Sequence, residues 1–153
     1  MLRDIIHAFK YEGRRSLAHP LARLMRDAAR EVLTECDFVV PVPLHPWRRL
    51  RRGFNQARDL AERLDLPVRD SLWRVRATPP QMALNAAARH TNLRGAFSLS
   101  WACSAGLSGA RVQGARIVLV DDVRTTGATL EECAKVLRRA GAADVRALTA
   151  GAA

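Results

Sequence analysis

Residues 118–130 read VLVDDVRTTGATL. An apolar run from Ile117 to Val120 meets two adjacent aspartates, then Arg124, two threonines, Gly127, Ala128 and Thr129, where a helical pattern begins. A short, continuous apolar run ahead of a helix reads as a strand buried on both faces, the mark of a parallel sheet covered by helices. Side by side, two carboxylates repel each other. Ahead of a glycine-containing, hydroxyl-rich turn, they point instead to a ligand with both hydroxyls and a phosphate.

The flanking sequence repeats the strand–helix alternation. Phe38 to Val42 is a second apolar run, and Asp144 to Thr149 reads as a last strand. A helix is expected over Met1 to Tyr11, stopped at Gly13. In the next helix Leu17, Leu21, Leu24, Met25, Ala28 and Val32 form one face, and Pro20 sits near its start, where a missing N–H costs least. Phe54, Ala57, Leu60, Ala61 and Leu64 give a third helical stretch, and Thr129 to Ala140 a fourth, ended by Gly141. Pro67 to Arg76 reads as a strand with irregular flanks, and Ala96 to Ser100 as another. Trp101 to Gly114, rich in Ser, Ala and Gly, reads as a surface connection. The expected fold class is α/β with a parallel central sheet flanked by helices. Ligands of such sheets bind beyond the carboxyl ends of the strands. The loops at Pro43 and Asp121 both fall there.

Size and composition set limits. At 153 residues the chain is long enough for one domain with a closed core. No apolar run approaches the ~18 residues of a membrane span. The first residues, MLRDIIHAFKYEGRRS, scatter charge where a secretory signal needs an apolar stretch. The three cysteines, Cys36, Cys103 and Cys133, are widely spaced and form neither a disulfide framework nor a zinc knuckle. A soluble, cytoplasmic protein is expected. Net charge is +10, with 23 of 25 basic residues being arginine, and no Asp or Glu falls between Ser71 and Val120. That imbalance favours an anionic partner, nucleic acid or a small polyphosphate, although an arginine- and alanine-rich composition also follows from codon usage.

The chemistry of the quoted loop is specific. Backbone N–H groups at a helix N-terminus make an anion site, Gly127 permits close approach or positive φ, and Thr125, Thr126 and Thr129 add hydroxyl donors. Asp121 and Asp122 cannot touch the same phosphate without repulsion. They can accept from a vicinal diol nearby, or help hold Mg²⁺ through water. Ribose 5-phosphate has that order of groups. A plain strand-to-helix turn with Thr129 as N-cap accounts for Thr129 and one aspartate, but not for the paired acids, the second threonine and Gly127. Neither G-x-x-x-x-G-K-[ST] nor G-x-G-x-x-G occurs.

Asp121-Asp122-Val123-Arg124-Thr125-Thr126-Gly127-Ala128-Thr129 resembles the phosphoribosyl pyrophosphate (PRPP) signature of type I phosphoribosyltransferases. Lys10-Tyr11-Glu12-Gly13, Val40-Pro41-Val42-Pro43-Leu44-His45, Arg52-Gly53-Phe54-Asn55-Gln56-Ala57, Gln81 and Arg89-His90-Thr91-Asn92 follow the order seen in the ComF family, associated with DNA uptake in competence. The resemblance runs from about Arg3 to Thr149. It implies a type I phosphoribosyltransferase-like fold with a flexible flap, one domain over residues 1–153, and no counterpart of the four-cysteine zinc module with which many members begin. It also implies PRPP and Mg²⁺ as ligands, with transfer of the phosphoribosyl group and release of pyrophosphate. The alternative is a non-catalytic sensor of PRPP or a nucleotide, or an accessory protein of single-stranded DNA and the competence machinery, either of them able to form a homo-oligomer.

Under the resemblance Asp121, Asp122 and Arg89 are catalytic, and the two aspartates meet the metal indirectly, through water or ribose. Arg124, Thr125, Thr126, Gly127, Ala128 and Thr129 bind the 5-phosphate. Pro43, Leu44, His45, Arg51 and Arg52 meet the pyrophosphate, for which arginine's planar fork is suited. Nucleic-acid phosphates or a solvated loop are the lesser readings of Arg48, Arg49, Arg51 and Arg52, with Trp47 and Phe54 beside them as core residues first and stacking residues second. Thr78 to Asn92 is the flap, carrying Gln81, Arg89 and Asn92; an ordinary surface loop is the other reading. His45 and His90 are polar contacts, with no spacing for metal ligation.

Overall fold

The computed structural model describes residues 15–44, 53–76, 93–106 and 111–152. A 3-10 turn, Arg15–Leu17, leads into helix α1 (Ala18–Ala28), followed by α2 (Arg30–Thr34), strand β1 (Phe38–Pro41), α3 (Gln56–Ala61), β2 (Leu72–Arg74), β3 (Phe97–Leu99), α4 (Trp101–Ser104), β4 (Arg116–Arg124), α5 (Ala128–Arg139) and β5 (Asp144–Ala152). The helix expected over Met1 to Tyr11 lies outside the described residues.

The sheet has order β1-β4-β5, and both pairings are parallel. Central β4 owes its place to Ile117 to Val120, each no more than 1% exposed. Alternate side chains enter two cores. Phe38, Val40, Ile117 and Leu119 pack with Phe97, Cys133 and Leu137. Val39, Val118 and Val120 pack with Leu21, Met25, Leu60 and Leu64. The expected parallel sheet with helices on both faces is thus present.

Several elements differ from expectation, each for a local reason. β4 continues past Val120 to Arg124, and β5 past Thr149 to Ala152, because each supplies the other's ladder: Asp121 pairs with Thr149, Val123 with Gly151 and Arg124 with Ala152. Leu72–Arg74 and Phe97–Leu99 do not join the parallel sheet; they form an antiparallel ribbon of their own. Upstream of it, Val68 alone bridges in parallel to Val39, so the stretch from Pro67 to Arg76 is divided between two sheets. The helix after Leu17 breaks at Ala29 (φ −112°, ψ 21°). Its buried stripe is Ala18, Leu21, Ala22, Met25, Ala29 and Leu33. Leu24 lies about 100° round from Met25 and is 61% exposed; Ala28 is exposed as well. In the surface connection after Ser100 the chain makes one short helix, α4, where the Ser100 hydroxyl accepts from the Cys103 amide at 3.4 Å. At the far end of α5, Gly141 (φ +89°) takes the left-handed position, and Ala142 N–H returns to the Leu137 carbonyl at 3.1 Å. That agrees with the stop expected there. No helix among the described residues is long and apolar enough to cross a membrane.

Candidate functional site

The carboxyl ends of β1 and β4 open into one cleft. Its lining includes Val42 to Leu44 after β1, Asn55 to Ala57 at the start of α3, Asp121 to Thr125 from the end of β4, and Gly127 to Leu130 at the start of α5, with Arg74 of β2 as a further wall. Its volume, about 140 Å³, is several times the ~30 Å³ share of one water, so phosphate-sized groups fit.

Each wall has a structural cause. Val42 N–H donates to the Val120 carbonyl at 2.9 Å, carrying β1's pairing one residue beyond Pro41. Asn55 is the N-cap of α3. Its Oδ1 accepts from Ala57 N–H at 3.1 Å while its Nδ2 donates to the Val42 carbonyl, also at 3.1 Å. One side chain therefore starts the helix and ties it to the end of β1. The acids are braced locally: Asp121 Oδ1 accepts from Asp122 N–H at 2.9 Å, and Asp122 Oδ1 from Val123 N–H at 2.8 Å. Asp122 is buried and Asp121 half-buried, yet both reach the cleft.

The loop between β4 and α5 is only Thr125, Thr126 and Gly127. Gly127, at φ +82°, is the N-cap of α5, so the helix starts earlier than a Thr129 cap would place it. Among the described residues, no acceptor meets the amides of Thr125, Thr126 or Gly127. They stand at the positive end of a twelve-residue helix, an arrangement that favours an anion. Thr125, Gly127, Ala128, Thr129 and Arg124 line the cleft. Thr126 does not; its Oγ1 accepts from Ala128 N–H at 3.4 Å and so shapes the turn.

Of the sequence-predicted residues, the structure brings together Pro43, Leu44, Asp121, Asp122, Arg124, Thr125, Gly127, Ala128 and Thr129. His45, Arg51, Arg52, Gln81, Arg89 and Asn92 lie outside the described residues. Three polar residues that sequence reasoning gave no role are also in the wall: Asn55, Gln56 (2% exposed) and Arg74 (5% exposed). Gln56 sits inside the R-G-F-N-Q segment, which was a sufficient signal. Arg74 alternates with exposed Trp73 along β2, a weak pattern in a three-residue strand. Its guanidinium carbon lies 5.4 Å from the Phe97 ring centroid.

Residues 18–151 match the family described as the phosphoribosyl transferase domain. The chain belongs to that phosphoribosyltransferase family. Among its relatives, Competence protein F of Haemophilus influenzae is 38% identical over 93% of this chain and 64% of its own length. DNA utilization protein YhgH of Escherichia coli is 38% identical over 95% and 64%, and Competence protein ComFC of Bacillus subtilis 32% identical over 97% and 59%. The chain thus spans less than two thirds of the length of these relatives. A solved structure of the allosteric regulatory enzyme of purine biosynthesis superposes with a TM-score of 0.52 at 25% identity, covering 88% of this chain and 26% of that one. Both the ComF resemblance and the phosphoribosyltransferase-like α/β fold are borne out.

Proposed function

We propose that the domain binds PRPP with magnesium and transfers its phosphoribosyl group to an acceptor nucleophile. The C1–O bond to pyrophosphate breaks, and a bond from C1 to the nucleophile forms. The observation that carries this reading is the convergence of both aspartates and the α5 N-terminal loop on one cleft. In it the loop amides and the hydroxyls of Thr125 and Thr129 hold the 5-phosphate, while the Thr126 hydroxyl shapes the turn. Asp121 and Asp122 accept from the ribose hydroxyls and offset positive charge developing on the sugar ring. Under this reading Pro43 and Leu44 meet the pyrophosphate; His45, Arg51 and Arg52, which the family resemblance assigns to the same group, and Gln81, Arg89 and Asn92, which it assigns to the flap, lie outside the described residues.

The residues fit a magnesium ion held mainly by the ligand. Among the described residues no three His, Cys, Asp or Glu side chains gather into a metal cage, but Asp121 and Asp122 offer the hard oxygens that Mg²⁺ takes alongside phosphates and water. Among the described residues the charged lining is two arginines against two aspartates, and a bound ion would add positive charge beside a polyphosphate. When bound, the ion would neutralise the leaving pyrophosphate.

Titration calorimetry with PRPP and Mg²⁺ tests the site. Asp121→Asn with Asp122→Asn is expected to weaken binding roughly 10- to 100-fold while thermal unfolding stays cooperative; unchanged binding removes the proposal. Pyrophosphate release, screened over amine, base and sugar acceptors, tests transfer.

The net charge of +10 and relatives named for competence and DNA utilization favour a second reading, a binding module that senses PRPP or engages single-stranded DNA. PRPP binding without turnover on any acceptor selects the sensor. The DNA form requires affinity that falls steeply with salt and is lost with the charges of Arg48, Arg49, Arg51 and Arg52.

A further inference from the structure

Side chains alternate across a strand, so the two neighbouring acids of β4 leave the sheet on opposite faces. Ile117 and Leu119 share a core with Leu72, Phe97 and Cys133, whereas Val118 and Val120 share one with Leu21, Leu60 and Leu64. Continuing that alternation, Asp121 falls on the side of α5 and the β2–β3 ribbon, and Asp122 on the side of α1 and α3. Arg74 belongs to the first side. It shares the buried face of β2 with Leu72, packs against Phe97 and lines the same cleft as Asp121. Cys133 registers the juxtaposition. Burial pushes its thiol well up, Asp121 adds to the push and Arg74 opposes it; Asp122 is not among the groups that act on it.

A guanidinium only 5% exposed is costly to bury unless an anion is close. We propose that Arg74 is a positioning residue that holds Asp121 from inside the cleft wall, so that the paired aspartates do different work. Asp121, with its charge compensated internally, is a fixed acceptor for a ribose hydroxyl. Asp122, on the other face, lies away from Arg74 and serves the second hydroxyl and the ion that accompanies the phosphates. The inference rests on the phosphoribosyl ligand proposed above and makes two adjacent, chemically identical residues inequivalent.

A double-mutant cycle tests it, with calorimetry on ribose 5-phosphate without metal and on PRPP with Mg²⁺, and with thermal unfolding as the control for folding. Arg74→Met is expected to weaken both ligands roughly 5- to 50-fold, with little further loss when added to Asp121→Asn and the full loss when added to Asp122→Asn. Arg74→Lys, which keeps a point charge without the planar fork, should restore most of the affinity. If Arg74→Met does not fold, the same cycle is run with Arg74→Lys, whose smaller loss must also vanish beside Asp121→Asn. Wild-type binding with multiplicative losses for Arg74 and Asp121, or coupling to Asp122 instead, overturns the inference while leaving the ligand reading intact. A wild type that binds neither ligand overturns both.

Discussion

At Gly127 a single backbone angle connects sequence to site. Its φ of +82° begins α5, at the end of the loop that follows β4 and lines the cleft through Thr125 and Gly127. The constraint is conformational rather than steric, since a methyl group there would meet nothing nearer than the Arg124 side chain at 3.8 Å. A Cβ in the left-handed region costs about 1–2 kcal/mol. Gly127→Ala is therefore expected to lower stability by about that amount in thermal unfolding and to weaken ribose 5-phosphate in calorimetry. Gly127→Asn should lose less on both counts, because asparagine tolerates this region better. Equal losses for the two variants would show that φ is not what the position requires. Thr126 makes the complementary point. The signature groups it with the phosphate binders, yet its hydroxyl faces the Ala128 amide, so a residue's type and spacing alone do not say whether it touches a ligand or shapes the loop that does.

Asn55 shows how much an element's position depends on one cap. It starts α3 and also donates to the Val42 carbonyl, bringing Gln56 and the end of β1 to the same wall. Asn55→Ala is expected to destabilise the domain by about 1 kcal/mol and to weaken PRPP beyond that, since the wall loses its tie; a change in stability with unaltered affinity would separate the two roles. The long buried runs were legible in the sequence. Phe38 to Val42, Ile117 to Val120 and the α5 stripe of Leu130, Cys133, Ala134 and Leu137 announce themselves by apolar periodicity. The ends of β4 and β5 were not, because Asp121, Asp122 and Gly151 look like chain breakers until the partner strand supplies their pairing. Nor was the β2–β3 ribbon: three residues carry no sign of whether their partner is parallel or antiparallel, and Phe97 pairs with Arg74 across 23 positions. Arg74 was lost with it. A motif identifies the loop on one side of the cleft, but the opposite wall is assembled by tertiary packing.

The charge inventory of the whole chain makes an unusual demand on its behaviour in alkali. Of 25 basic residues 23 are arginine, whose charge persists above pH 12, so rising pH discharges almost none of the positive surface. The groups left to titrate are two lysines, Tyr11 and three thiols. Cys133, with no exposed surface, has its thiol pushed well up, by burial first and by Asp121 in addition; Cys36 is raised by burial and by Asp37. For a group whose folded value is raised, the folded state prefers the protonated form. The associated stability is complete below the ordinary thiol range, near ~8.5, and is lost as pH rises from there through the folded value. Melting temperatures recorded from pH 7 to 10 should therefore fall beyond about pH 8.5. Cys133→Ala, although less stable at pH 7 because it leaves a small cavity, should show a shallower alkaline decline. An equally steep decline in that variant would assign the loss to Tyr11, the lysines or Cys36 and remove Cys133 as the alkaline limit of the fold.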